Sequence, residues 1–173
     1  HFEKRKNYLR LIEALAILRD EGSQCNLVMV GNDSGELQAV KDEISRLSLT
    51  GSVIILNGIS DIEVRCLYQL AGLFVFPSYY EGFGIPVLEA MAANCPMVLS
   101  DIPVFREITQ NKVRYFKHDD VPALVEAIQQ SINSPEELQT LVAYGRSRVA
   151  DFGFERIAIE LEQLYRNTLV AQG

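Results

Sequence analysis

The chain has too few cysteines, too widely spaced, to be organised around them. Cys25, Cys66 and Cys95 make no C-x-x-C pair and no Cys/His cluster, which argues against a disulfide framework and a thiolate metal site. Reduced, packed thiols in a cytoplasmic protein are expected instead. Long apolar runs are also lacking. The uncharged stretches 70–80 and 82–88 fall far short of the roughly 20 residues that cross a bilayer. No basic–apolar–small leader opens the sequence, so nothing marks it for export. Positive charge is in deficit, with 16 Lys+Arg against 23 Asp+Glu and a net charge of −7. Non-specific nucleic-acid binding needs a basic face that releases counterions, and this composition opposes it. There is no internal repeat and no Pro/Gly/Ser linker, so 173 residues read as one domain.

What is present is an alternation of short apolar runs with helical periods. Residues 26–30 are too apolar for a strand with one wet face and read, like 53–56, as a strand buried on both sides of a parallel sheet, and 73–76, 97–99 and 113–116 read as three further strands. Between them, Leu9, Leu11, Ile12, Leu15, Ala16 and Leu18 recur at helical spacing before a stop at Gly22, and Leu37, Val40, Ile44 and Leu47 follow the turn 31–35. Ser60-Asp61-Ile62-Glu63 reads as a capping box. A further helix starts near Pro86, and helical stretches over 121–132, 135–149 and 154–169 close the chain. The pattern implies an α/β, doubly wound, Rossmann-like parallel sheet. Residues 1–150 form its main body, and 151–173 add a C-terminal helix to the same domain.

Ligands of open α/β sheets sit beyond the carboxyl ends of the strands. That rule selects the loops 31–35, 57–60, 78–85 and 100–103. The loop Ser78-Tyr79-Tyr80-Glu81-Gly82-Phe83-Gly84-Ile85 carries the strongest signal. Its glycines permit a tight turn and close approach of a ligand to the main chain. The helix that starts at Pro86 offers unbonded N–H groups and a positive dipole end to an anion. Glu81 stands at the loop mouth and Glu89 eight residues on. Two carboxylates accept hydrogen bonds from vicinal hydroxyls, so phosphate plus hydroxyls suggests a phosphorylated sugar or a nucleotide-sugar. The residues alone weigh equally for a bland reading, with Glu81 a solvated loop residue and Glu89 a complement to the helix dipole.

Lys4-Arg5-Lys6 opposes the macrodipole of the first helix. It reads as a solvated basic start or, if a diphosphate binds, as its counter-charge. His118-Asp119-Asp120 reads as a helix N-cap rather than a metal site, and Gly31–Gly35 is not a G-x-G-x-x-G fingerprint, so a nicotinamide cofactor lacks support.

The run 81–92, EGFGIPVLEAMA, closely resembles the E-x7-E motif of the retaining GT-B glycosyltransferases of family 4. The resemblance extends to Lys4-Arg5-Lys6-Asn7 with the helix after it, Leu67-Tyr68, the stretch 74–78, Ser100-Asp101-Ile102-Pro103, Arg106-Glu107 and Tyr115-Phe116, in the family's order and spacing. It implies the C-terminal, donor-binding half of a two-domain enzyme that moves a hexose from a nucleotide diphosphate sugar to a glycan or lipid-linked acceptor, without metal or other cofactor. By analogy Glu81 holds donor-sugar hydroxyls, Glu89 holds ribose hydroxyls, and Gly82 with the N–H groups of Phe83, Gly84 and Ile85 cradles the sugar and diphosphate. Lys6 neutralises the leaving group, and Gly58 and Ile59, in the loop 57–60, meet the base.

The implied partners are the donor, the acceptor-binding N-terminal domain of the same enzyme and, through that half, peripheral membrane contact. No covalent nucleophile is implied, the fragment alone is expected to be inactive in transfer, and mannose is one candidate sugar. A nucleotide-sugar epimerase and a non-catalytic nucleotide-binding module are the alternatives. The chain departs from the pattern at His1, where the family usually has an arginine, at Gly72, and at Gln110-Asn111-Lys112. The family's first, central strand would precede His1. A sheet without it must re-pair, associate with another chain, or continue from upstream residues. The stripe Phe154, Ile157, Leu161, Leu164 and Tyr165 would ordinarily be core, although the family's tail crosses towards the acceptor domain.

Overall fold

The computed structural model describes residues 1–170. Helices and strands alternate from α1 (Tyr8–Asp20) through β1 (Leu27–Val30), α2 (Leu37–Arg46), β2 (Val53–Leu56), α3 (Asp61–Leu70) and β3 (Phe74–Phe76). They continue with α4 (Ile85–Ala92), β4 (Met97–Ser100), α5 (Pro103–Thr109), β5 (Arg114–Phe116), α6 (Val121–Asn133), α7 (Pro135–Arg148) and α8 (Phe154–Val170). The five expected strands are all present and every pairing is parallel. The signals read from sequence act as expected at several ends. Ser60 and Glu63 form the reciprocal capping box of α3, Asp120 accepts from the Ala123 N–H at the start of α6, and Gly22 takes φ +92° after α1.

The sheet is in two pieces. β1 pairs with β2, and β3, β4 and β5 form a second sheet in that order. β1 and β3 each present one edge unpaired within the described residues, so the doubly wound sheet does not re-pair across them. The first residues lie between the two pieces. Phe2 bridges Asp33 in parallel, its N–H donating to the Asn32 carbonyl at 2.8 Å, while the Tyr79 N–H, just past β3, donates to the Arg5 carbonyl at 2.9 Å. A Cβ on Gly31 would stand 2.9 Å from the His1 nitrogen, so the approach on the β1 side needs glycine.

Helix α1 ties the pieces together. Leu11, Ala14 and Leu18 pack with Val98, Phe116 and α6, while Ile12 and Leu15 pack with Met29, Val40 and Ile44. The opposite face of the larger sheet is covered by Val87, Met91, Phe105 and Ile108 over Phe76 and Leu99. β4 is buried along its whole length, as expected for a central strand.

The smaller sheet departs from that expectation. Val28 and Ile54 are register partners and are 41% and 51% exposed, because α1 and α2 cover only the Met29 face. α8 departs too. Its stripe, from Phe154 to Tyr165, lies exposed rather than in a core, and residues 171–173 of the expected C-terminal segment lie outside the described residues. Two local differences concern starts. α4 begins at Ile85 with Gly84 as N-cap, so Pro86 is second rather than first, and α5 is a helix that the apolar spacing did not reveal. Cys95 is buried and Cys25 half-buried, but Cys66 is exposed, which corrects the expectation of three packed thiols.

Candidate functional site

The loop from Ser78 to Gly84 leaves the carboxyl end of β3 and turns into α4. Gly84 makes the turn in the left-handed region at φ +86°, and a Cβ there would meet the Phe105 ring at 3.1 Å. Gly82 answers to a different demand. Its φ is ordinary and nothing lies within 4 Å of a notional Cβ, so the fold does not require glycine there; its missing side chain leaves the main chain open to approach. Among the described residues the N–H groups of Phe83, Gly84 and Ile85 have no hydrogen-bond partner. They are the unbonded donors of a helix start.

Glu81 turns inward from this loop, its side chain only 7% exposed. One carboxylate oxygen accepts from Lys6 Nζ at 2.7 Å and from Ser78 Oγ at 2.9 Å; the other accepts from Arg5 Nη1 at 2.5 Å. Burial opposes ionisation, but these donors outweigh it and hold the carboxyl below its ordinary pKa. Ser78 is itself fixed, because its carbonyl accepts from Ser100 Oγ on β4. Lys6 lies over the Phe76 ring, 4.5 Å from its centroid.

The basic triplet reaches this place through backbone geometry. Lys4–Lys6 form a separate 3-10 turn rather than the first turn of α1, and Asn7 ends it at φ +59°. Asparagine tolerates this left-handed conformation. The buried Asn7 amide donates to the carbonyls of Pro77 and His118, which clamps the turn to the ends of β3 and β5. The triplet therefore separates: Lys6 points in, Arg5 bridges Glu81 and Glu3, and Lys4 stays exposed.

Glu89 does not join this cluster. It is exposed on α4, and its Oε2 accepts from Tyr68 Oη at 3.2 Å. Tyr68, on α3, is held edge-on against Phe74; burial, and then the Glu89 charge, push its phenol pKa upward. Tyr68 thus keeps its proton and aims the carboxylate. Tyr68→Phe is expected to leave the melting temperature within about 2 °C, since the exposed Glu89 carboxylate bonds water when the hydroxyl is lost, while weakening any ligand held by Glu89 about threefold in a binding titration.

Gly58, at φ +63°, and Ile59 follow β2 of the smaller sheet, whereas Glu81 follows β3 of the larger one. His1 points elsewhere: its Nδ1 is 3.3 Å from Ser34 Oγ. A hollow of about 650 Å³ lies over the outer face of α1 and the start of α6, lined by Arg10, Glu13, Asp20, Asp119 and Pro122. None of the predicted site residues borders it. The structure thus brings Glu81 and Lys6 together beside the open amides of 83–85 on an open shelf, with Glu89 on its own helix face. Sequence reasoning placed Arg5, Asn7, Tyr68 and Ser78 in recognised segments but gave none of them a role of its own at the site. No group of three or more His, Cys, Asp or Glu side chains suited to a metal occurs among the described residues. No helix among them is long and apolar enough to cross a membrane.

The chain is similar to known proteins along most of its length. The O-antigen chain mannosyltransferase RfbU of Salmonella typhimurium is 34% identical over 132 residues, 76% of this chain and 36% of that protein. The GDP-mannose:cellobiosyl-diphosphopolyprenol alpha-mannosyltransferase of Komagataeibacter xylinus is 28% identical over 97% of this chain and 44% of its own length. Among solved structures, sucrose-phosphate synthase from Thermosynechococcus elongatus superposes with a TM-score of 0.84 at 31% identity, over 98% of this chain and 44% of that one. The chain therefore spans less than half the length of these relatives. With residues 1–148 matching the model described as Glycosyl transferases group 1, on the parallel α/β scaffold of the GT-B glycosyltransferases, the chain belongs to that family.

Proposed function

We propose that this chain is the donor-binding domain of a retaining glycosyltransferase, and that the donor is a nucleotide diphosphate sugar. The observation that carries the reading is Lys6, buried and ion-paired to Glu81, beside the unpartnered N–H groups of Phe83, Gly84 and Ile85. A departing nucleoside diphosphate gathers negative charge, and a fixed cation with fixed N–H dipoles stabilises that charge more than it stabilises the intact donor. Glu81 would hold the sugar and Glu89, aimed by Tyr68, the ribose. Gly58 and Ile59 would border the base. The names of the relatives favour mannose as the sugar and a surface glycan or lipid-linked saccharide as the acceptor. Acceptor recognition would belong to a second domain, so the 173 residues alone are expected to bind donor and to transfer sugar poorly or not at all.

Titration with GDP, UDP and ADP tests the reading. One of the three is expected to bind and to raise the melting temperature, since a ligand of the folded state stabilises it by mass action. Glu89→Ala is expected to weaken that ligand about tenfold, the loss of one charge-assisted hydrogen bond, with the fold intact because Glu89 is exposed. Failure of all three nucleotides to bind would overturn the reading; binding that survives Glu89→Ala unchanged would remove Glu89 from the site.

A further inference from the structure

Both oxygens of Glu81 are engaged by internal donors in this state. Its two oxygens are taken by Lys6, Ser78 and Arg5, and with Glu3 on Arg5 at 2.6 Å the two cations and two carboxylates balance to zero. A diphosphate arriving here meets cations already neutralised from within. One of them is poorly placed to move, as Lys6 is 11% exposed, lies over Phe76 and sits beneath the loop. The other is well placed. The Arg5 side chain is 38% exposed, its Nη2 has no partner among the described residues, and its main chain is pinned by the Tyr79 N–H, so the guanidinium can change partners without the backbone moving.

We infer that Arg5 is the second cation of the diphosphate site, held by Glu81 until the diphosphate takes it over; the inference rests on the donor-binding reading above. His1, turned to Ser34, supplies no permanent charge to the cluster, and Arg5 fills that deficit from within the same turn. The planar fork of an arginine suits two oxygens of a pyrophosphate, and its charge does not titrate. The exchange has a consequence for the sugar. When the diphosphate draws Arg5 away, the Glu81 oxygen that had accepted from Arg5 becomes free for a sugar hydroxyl, while Lys6 and Ser78 still hold the other. Glu81 thus grips the hexose only once the diphosphate is seated, which couples the two halves of donor recognition.

The test is calorimetric titration of the 173-residue chain with the nucleoside diphosphate that binds and with its monophosphate. Arg5→Gln is expected to weaken the diphosphate about tenfold and the monophosphate less than about threefold, and to flatten the salt dependence, since one fewer charge is engaged. Glu81→Gln is expected to act in the opposite direction on the bare diphosphate, tightening it about threefold because the internal competitor is neutral, and this gain is expected to vanish when Arg5 is already Gln. Arg5→Lys retains part of the selectivity, and thermal melts of each variant show that it is folded. An unchanged diphosphate-to-monophosphate ratio in Arg5→Gln, or weaker diphosphate binding in Glu81→Gln, overturns the assignment of Arg5 and leaves the donor-binding reading standing. Absence of diphosphate binding by the unaltered chain overturns both.

Discussion

Lys6→Met is expected to lower the melting temperature by about 6–12 °C. The side chain of Glu81 is 7% exposed and that of Lys6 11%, and removing one partner of a buried pair strands the other's charge, at a cost of about 3 kcal/mol or more. Arg5 and Ser78 still donate to Glu81, which keeps the loss near the lower end of that range. In a chain of this size each kcal/mol moves the midpoint by about 2–4 °C. Glu81→Gln placed on top is expected to recover most of the loss, because the uncompensated charge is then gone; this coupling separates a charge effect from a packing effect. The pH dependence follows from Glu81, whose carboxyl is held below the ordinary value of 4.5. Its pairing therefore stabilises the fold above pH 4.5 and is lost as the pH falls through the lower folded value, so the gap between the unaltered chain and Lys6→Met is expected to close only in acid. Equal melting curves for the two chains at neutral pH would mean that Lys6 is not pinned by Glu81. The same variant is expected to bind nucleoside diphosphate about 10–100-fold more weakly, the loss of one charged hydrogen bond from the site.

How far the sequence discloses this arrangement depends on whether a feature is local. The strands were legible because a buried parallel strand needs an unbroken apolar run, and Met97-Val98-Leu99 is one. The capping box of α3 was legible because Ser60 and Glu63 solve each other's orphan donors within four residues. The glycine loop was legible for the same reason. α5 was not, since seven residues are too few for a helical period to stand out, and its buried Phe105 and Ile108 read equally as a loop anchored in the core.

Partnerships across the chain were less visible. Arg5 and Glu81 are 76 residues apart, and adjacency to Lys6 says nothing of which cation turns inward; that is decided by the left-handed Asn7. Tyr68 stood in a recognised segment, but its bond to Glu89 joins two helices and has no sequence period. Apolar character also misled at Val28 and Ile54, where composition calls for cover on both faces and the described residues supply it on one.

That one-sided, divided sheet leads to the second large effect. A chain with five β-branched apolar residues fused ahead of His1 is expected to melt about 5–10 °C higher than the chain itself. Phe2 pairs with Asp33 in parallel, so a segment running back from His1 passes alongside Val30 towards Leu27, with β3 on its other side, where Tyr79 and Pro77 already bond to Arg5 and Asn7. Each ordered residue costs about 1–2 kcal/mol of backbone entropy. Burial of the side chains that face α1 and α2, with new ladder hydrogen bonds, outweighs this, and a net gain of about 2–3 kcal/mol gives the stated shift. An extension of the same length with proline at alternate positions lacks the donors that a ladder needs and is expected to give no such rise. Amides of Leu27–Val30 and Phe74–Phe76 should gain hydrogen-exchange protection only in the apolar version. Self-association through the open edges, which unpaired strands invite, should fall in the same version. Equal melting of the two extended chains would mean that the edges of β1 and β3 do not accept a strand between them, and the division of the sheet would then be a property of the fold.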